Sequence, residues 1–451
     1  MTLHRILTIA AATSMTLGAA AQSTASGYFN DGFLYRHHMN PAIVNSQSYI
    51  AMPFLGNVYS GAKGSFGIGD VLYSRQGETV TFMHPGITSA EALKHIHDIN
   101  KFEVDERMSL LDFGFKTKKG YLTIGLDLRS NVGLSLPGEF FRLAKEGPAN
   151  KTYDISNLTA HADAMGELGV GYARKVGKNL QIGAKAKVLI GAANFDLNSH
   201  NTRLELGEDV WRINADIEAQ GSLKGLQYIE EIDEETHKPY IDDIDVDGSG
   251  ISGFGVAFDL GALYTVKDFK IGLAVNDLGA VKWNNNMLAE CRGNFTTDGR
   301  TFSVDKDDIN NFEDEFERFG DDLADAFEFV SKGDQGGRSR GLAATINASV
   351  EYTLPAYRKL TFGLLSTTRL QGARTWTDAR LSANLAPAKW FSLSLTGGYG
   401  TFGPSFGWMV NLHPKGFSLF AGMDGIGAPY GKYMVPLGHS SSLNFGVNFP
   451  F

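Results

Sequence analysis

The chain ends on Leu443-Asn444-Phe445-Gly446-Val447-Asn448-Phe449-Pro450-Phe451, in which every second side chain is apolar and the last is a phenylalanine. A strand built from this run has one greasy face and one mostly polar face. One such strand fits an ordinary soluble sheet. The constraint comes from how often the pattern returns. Phe254, Val256, Phe258, Leu260, Ala262 and Tyr264 alternate with Gly255, Ala257, Asp259 and Gly261. Phe269, Ile271, Leu273 and Val275 follow, with Asn276 on the other face. The runs 342–354, 379–385, 391–395 and 406–412 repeat it. So do Leu122 to Leu128 against Thr123 to Arg129, and Leu180 to Ile190 against Gln181 to Lys187.

The two faces differ in kind. The apolar face carries almost no charge over many strands, as a lipid-facing band requires. The other face is rich in Gly, Ser, Thr and Asn, with isolated charges at Asp127, Arg129, Lys185, Lys187, Asp259 and Arg380. A crowded barrel interior needs small residues and paired charges, so these six are candidate lumen residues.

The N-terminus reads as a secretory signal. His4 and Arg5 precede the apolar run 6–17, and Gly18-Ala19-Ala20-Ala21-Gln22 offers a small-residue cleavage site near Ala21. That run is too short to span a bilayer, and nothing later approaches the ~20 apolar residues of a membrane helix. Mean hydropathy is −0.14. A chain of this kind enters a membrane only as a closed barrel, which leaves no backbone group unpaired in lipid. Cys291 is the single cysteine, so no internal disulfide forms. A net charge of −9 argues against a nucleic-acid partner.

Connections alternate in length. Short turns fall at 116–120, 174–178, 266–268, 355–359, 387–389 and 413–416, and long ones near 198–250, 279–340 and 425–441. This is the arrangement of periplasmic turns and extracellular loops. Nine strands after residue 250, four between 109 and 195 and one near 49–59 make an all-β, closed antiparallel transmembrane barrel of about 14 strands (range 12–16). A hairpin at 200–219 is the main uncertainty in the count. The chain divides into a signal at 1–21, an N-terminal plug or periplasmic segment at 22–48, and the barrel at 49–451. Two helices are predicted in the connections: one from the capping box Thr88/Glu91 to about 99, and an acidic amphipathic one over 309–330 that caps the mouth or docks a partner.

Little else carries chemistry. Asp243, Asp245 and Asp247 followed by Gly248 have the opening spacing of a calcium loop. The twelfth position is Phe254 instead of a glutamate, which makes calcium a weak candidate and otherwise no cofactor is implied. Neither His37-His38 nor His95/His97 has partner ligands at metal spacing. No nucleophile elbow, phosphate loop or zinc-protease helix is present, so an enzyme is the least favoured reading.

Several segments bear a family resemblance. The aromatic last strand resembles the C-terminal signal of bacterial outer-membrane barrels. Met39-Asn40-Pro41-Ala42 resembles an element of barrels related to long-chain fatty-acid transporters. Residues 49–58, 187–194, Phe258-Asp259-Leu260-Gly261-Ala262-Leu263-Tyr264, Val275-Asn276-Asp277-Leu278-Gly279 and Lys282-Trp283 resemble a Bacteroidota outer-membrane family of unknown function. The resemblance covers nearly the whole mature chain. It implies a roughly 14-stranded barrel similar to the fatty-acid transporters and to barrels of the type IX secretion system. It also implies an outer-membrane location, lipid and the barrel assembly machinery as partners, and a small hydrophobic ligand.

Two functions remain open. One is a channel or transporter for small hydrophobic or poorly permeant molecules, with residues 27–45, including Asn40, Pro41 and Ala42, as a plug. The other is a non-transporting surface or assembly barrel that binds a protein through its long acidic loops. A packed lumen favours the second, and an apolar pocket favours the first.

Overall fold

The computed structural model describes residues 24–75, 78–147, 151–207, 210–234, 237–298, 327–425 and 440–451. Period-two alternation becomes a closed antiparallel barrel of 14 strands. The first strand has two parts, Tyr49–Ala51 and Val58–Gly64. Next come Ile99–Lys116, Tyr121–Pro137, Thr159–Val176 and Leu180–Ser199. The second half adds Gly253–Val266, Phe269–Trp283, Ala344–Thr353, Leu360–Leu370 and Trp376–Ala388. Phe391–Gly400, Gly403–Leu412, Ser418–Asp424 and Ser440–Pro450 complete the wall. The last strand pairs with both parts of the first, through Tyr49↔Pro450 and Val58↔Phe445, which removes the sheet edges.

The first strand is broken where an unbroken one was expected. Residues 52–57 loop out, with Phe54 at φ 63°. Backbone bonds from Met52 to Val447, from Val447 to Leu55 and from Phe54 to Leu110 carry the wall across the gap.

The facing follows the sequence. Val256 and Leu381 are 57% and 66% exposed on the outside, whereas Asp259 and Arg380 are buried inside. A band of outward apolar side chains on a closed barrel is a membrane-spanning surface.

The expected hairpin at 200–219 forms but stays out of the wall. Arg203–Leu206 and Val210–Leu223 pair with each other, and the latter joins the end of Leu180–Ser199 to Asn286–Asp298. This extension at the long-loop end has its own core, built on Trp211, Ile213, Ile217, Leu204, Tyr153 and Phe329. The predicted helix after Thr88 is a single turn, Ser89–Ala92, because the first long barrel strand starts at Ile99. Its cap is as expected, with the Thr88 hydroxyl accepting from the Glu91 amide. Residues 309–326 of the second predicted helix lie outside the described residues, and Val330 opens a strand, Val330–Asp334, instead of ending a helix.

Candidate functional site

The lumen is occupied by the chain's own N-terminal segment. Residues 24–45 enter it as two short 3-10 turns, Ala25–Gly27 and Leu34–His38, joined by further tight turns closed by Asn30 N–H to Gly27 and Phe33 N–H to Asn30. Tyr28, Phe33, Tyr35, Met39 and Ile43 form an apolar cluster with Tyr49, Leu365 and Phe420 of the wall. The inward Asn and Ser residues of the strands are its hydrogen-bond partners. Asn276 and Asn347 each donate to the Met39 carbonyl at 2.9 Å. Gln181 donates to the Ala42 carbonyl. Tyr35 donates to Asn448 at 2.7 Å, and Asn30 bridges Ser392 and Ser394.

Asn40, Pro41 and Ala42 lie on a cross-strand glycine pair, Gly183↔Gly261. A Cβ on Gly183 would stand 2.0 Å from the Pro41 carbonyl oxygen, and one on Gly261 would stand 2.2 Å from Asn40 Oδ1. The small inward residues therefore mark where the plug touches the wall.

Five of the six predicted lumen charges come together beside the plug. Glu167, buried completely, accepts from Arg107 at 3.0 Å, Arg129 at 2.7 Å and Lys185 at 2.7 Å. Arg129 also grips Asp277 through two bonds of 2.9 and 3.0 Å. Lys187 reaches both Asp259 and Asp277 at 2.7 Å. Asp127 accepts from Ser109 at 2.7 Å. Arg380 stands apart, paired with Asp378 and with Asp424. Asp424 in turn accepts from the plug's Ala25 amide at 2.7 Å.

Glu167, Asp277 and Arg107 were missed in the sequence. Glu167 lies at an inward position of Thr159–Val176, where alternation alone would have placed it. Asp277 is different. It follows the inward Asn276 and has φ 61°, beside a register shift at Phe258/Leu260, so two successive side chains serve the lumen.

His37 and His38 do have a carboxylate nearby, contrary to the spacing argument: Asp112 of Ile99–Lys116 meets both. The hydrogen bonds show why this is a bridge and not a ligand set. A guanidinium only donates, so Arg107 Nη1, 2.9 Å from His38 Nδ1, makes that nitrogen the acceptor. The His38 proton then sits on Nε2, facing Asp112 Oδ2 at 3.7 Å. His38 has no lone pair left for a cation. Tyr49 donates to Asp112 and receives from His37 Nε2 at 3.0 Å.

Asp243, Asp245 and Asp247 do not form a loop. Pro239–Val246 is a strand paired with Leu226–Ile232. The strand spreads Asp243 and Asp245 along one face, where they accept from the amides that follow them, and Asp247 lies just past its end. Among the described residues no potential metal-ligand cluster includes them.

One apolar pocket lies on the outward face of the wall near the long-loop end. Its floor is Ala162, Ala164 and Ala193, and Leu226, Tyr228 and Ile244 of the outer hairpin roof it. The alanines leave the hollow that larger outward residues would fill. Tyr228 is partly buried there, which pushes its phenol up to about 12, and it donates to the Met287 carbonyl at 3.3 Å.

A closed 14-strand barrel with a hydrogen-bonded N-terminal plug defines the class of protein. Within that class the chain belongs to the family of unknown function DUF5723, whose sequence profile matches residues 41–424. No curated protein matches. Among solved structures, the Ralstonia pickettii toluene transporter TbuX is similar at TM-score 0.41 and 8% identity, over 96% of this chain and 95% of that one. The Pseudomonas putida toluene transporter TodX is similar at 0.39 and 8%, over 96% and 95%. A Pseudomonas aeruginosa FadL homologue is similar at 0.40 and 11%, over 96% and 99%.

Proposed function

We propose that the protein is a transporter-like outer-membrane barrel for a small apolar molecule. The observation that carries this reading is the alanine-floored pocket between the barrel wall and the outer hairpin. An apolar hollow with few polar groups suits a ligand held mainly by burial of its surface. The plug then acts as a gate, because most of its wall contacts are neutral hydrogen bonds with Asn, Gln, Ser and Tyr, each worth only about 1 kcal/mol net, with charged partners only at Asp424, Arg107 and Asp112. The test is saturable binding of the fluorescent apolar amine N-phenyl-1-naphthylamine to detergent-purified protein. Ala164→Trp, which fills the pocket, should abolish the saturable component while the protein keeps its heat-modifiable gel shift. Unchanged binding in that variant removes the basis of the reading.

A second reading, a non-transporting surface or assembly barrel, is favoured by the packed lumen. The aromatic cluster of the plug and the Glu167 ion network occupy the lumen, where an open porin holds water. Uptake of the same apolar probe into cells with and without the protein separates the two. Equal uptake supports the second.

A further inference from the structure

We infer that a second cavity, inside the lumen near the long-loop end, is a binding site for a phosphate group, with Arg374 as its principal contact. The cavity is about 310 Å³ and is lined by Arg129, Arg340, Arg369, Arg374, His161 and Gln371 among others.

The pairing of these arginines is uneven. Arg129 is satisfied by Glu167 and Asp277. Arg340 pairs with Asp196 at 3.0 Å, and Arg369 with Asp105 at 2.7 Å. Arg374 has no carboxylate within salt-bridge distance among the described residues. It is only 9% exposed, and its Nη1 has no hydrogen-bond partner. Glu103 is the nearest counter-charge and is already shared with Arg369, Gln371 and Trp376. A buried guanidinium without a direct ion pair is costly, and an anion in the cavity reduces that cost.

The local backbone holds the group in place. Arg374 ends the short turn Gly372–Arg374, opened by Gly372 at φ 63°. Its guanidinium lies across Gly133 of Tyr121–Pro137, where a Cβ would stand 1.8 Å from Nη1. Glycine at 133 is what lets the arginine lie there.

Two more unused groups specify the anion. Arg369 Nε also has no partner, which adds a second donor. Gln371 Oε1 is buried with no donor to accept from, while its Nε2 donates to Glu103 at 2.9 Å. That bond fixes the amide orientation, since a carboxylate only accepts. A ligand that accepts from two guanidinium groups and donates one O–H matches hydrogen phosphate, or a phosphate monoester in its monoanionic form. A carboxylate or sulfate at neutral pH has no such O–H. Guanidinium groups match several phosphate oxygens at once. The inference does not rest on transport, since binding is testable whether or not the barrel moves a molecule.

The experiment is thermal unfolding of the detergent-purified full chain in sodium phosphate, sulfate and chloride at equal ionic strength. Phosphate should raise the midpoint saturably, above sulfate and chloride. Arg374→Gln should weaken phosphate at least tenfold, and so should Gly133→Ala, whose methyl takes the space of the guanidinium. Arg358→Gln, an exposed arginine at a short turn, should leave phosphate affinity unchanged. Equal, non-zero shifts in all three salts, or wild-type phosphate affinity in Arg374→Gln, overturn the inference. If Arg374→Gln does not fold, calorimetry of phosphate on wild type and Gly133→Ala decides, and equal saturable heat in the two overturns it. A parallel arm adds phosphatidic acid or phosphatidylcholine to the micelles. A shift with phosphatidic acid and none with free phosphate assigns the site to a lipid headgroup, and a shift with free phosphate assigns it to a soluble compound. No shift in either arm overturns it.

Discussion

Replacing Gly183 by alanine should loosen the plug without touching the membrane face. The added Cβ would meet the Pro41 carbonyl oxygen at 2.0 Å, its carbon at 2.4 Å and the Ala42 amide nitrogen at 2.6 Å. Ordinary contact begins near 3.4 Å, so the plug backbone must lift by more than about 1 Å. All three obstructing atoms are backbone, and no side-chain rotation relieves them. Overpacking of this kind costs about 1–3 kcal/mol if the segment stays docked. If it lifts, it strains the bonds from Gln181 to Ala42 and from Asn276 and Asn347 to Met39, worth about 1 kcal/mol each. The first route removes about 1–3 kcal/mol of docking and the second about 3, which is on the order of ten- to a hundredfold in the undocked population. Hydrogen exchange of the peptide spanning 36–45 should accelerate by that order, and planar-bilayer recordings should show openings that wild type lacks. Gly397→Ala is the control, because its Cβ would meet nothing within 4 Å. If the two variants exchange alike and both stay silent, the glycine pair is not what seats the plug.

Three other substitutions probe different parts of the argument. Glu167→Gln leaves Arg107, Arg129 and Lys185 without their shared carboxylate and should cost about 3–5 kcal/mol in urea unfolding from detergent; a loss under about 1 kcal/mol would show that the network is not stabilising. Leu381→Arg, on the outward face, should cost about 2–4 kcal/mol in lipid, and equal folding of variant and wild type would contradict the facing. Cys291 lies in the outer extension, where burial first and the nearby Glu328 charge second push its thiol up to about 12. The thiolate is therefore scarce at pH 8 in the folded state, so maleimide labelling at that pH should wait for unfolding. Prompt labelling of the folded protein would mean that the extension core is open.

The inside and outside of the wall were legible because period two is a local property of a strand. Val256 and Asp259 face opposite ways whatever lies beyond them, and a lipid-facing position shows itself by lacking charge over many strands. The turns were legible for the same reason, and with them the strand number. The 200–219 hairpin was ambiguous because a strand in the wall and a strand in an outer extension obey the same alternation. Asp243, Asp245 and Asp247 had the spacing of a loop, but pairing with Leu226–Ile232 drew them straight, and only the partner strand decides that.

What fills the lumen belonged to the tertiary structure. Arg129 and Asp277 are 148 residues apart, and Tyr35 and Asn448 are 413 apart. No local pattern pairs such groups, because the barrel's closure and shear set which inward positions meet. Asp277 also breaks the alternation, since its left-handed backbone turns a second successive side chain inward. The sequence by itself determined a closed wall, its greasy outside and its polar inside, because those depend on neighbours one and two residues away. Only the tertiary structure decided that the inside is plugged, which charges neutralise one another there, and that Arg374 forms no salt bridge among the described residues, because each depends on atoms that closure alone brings together.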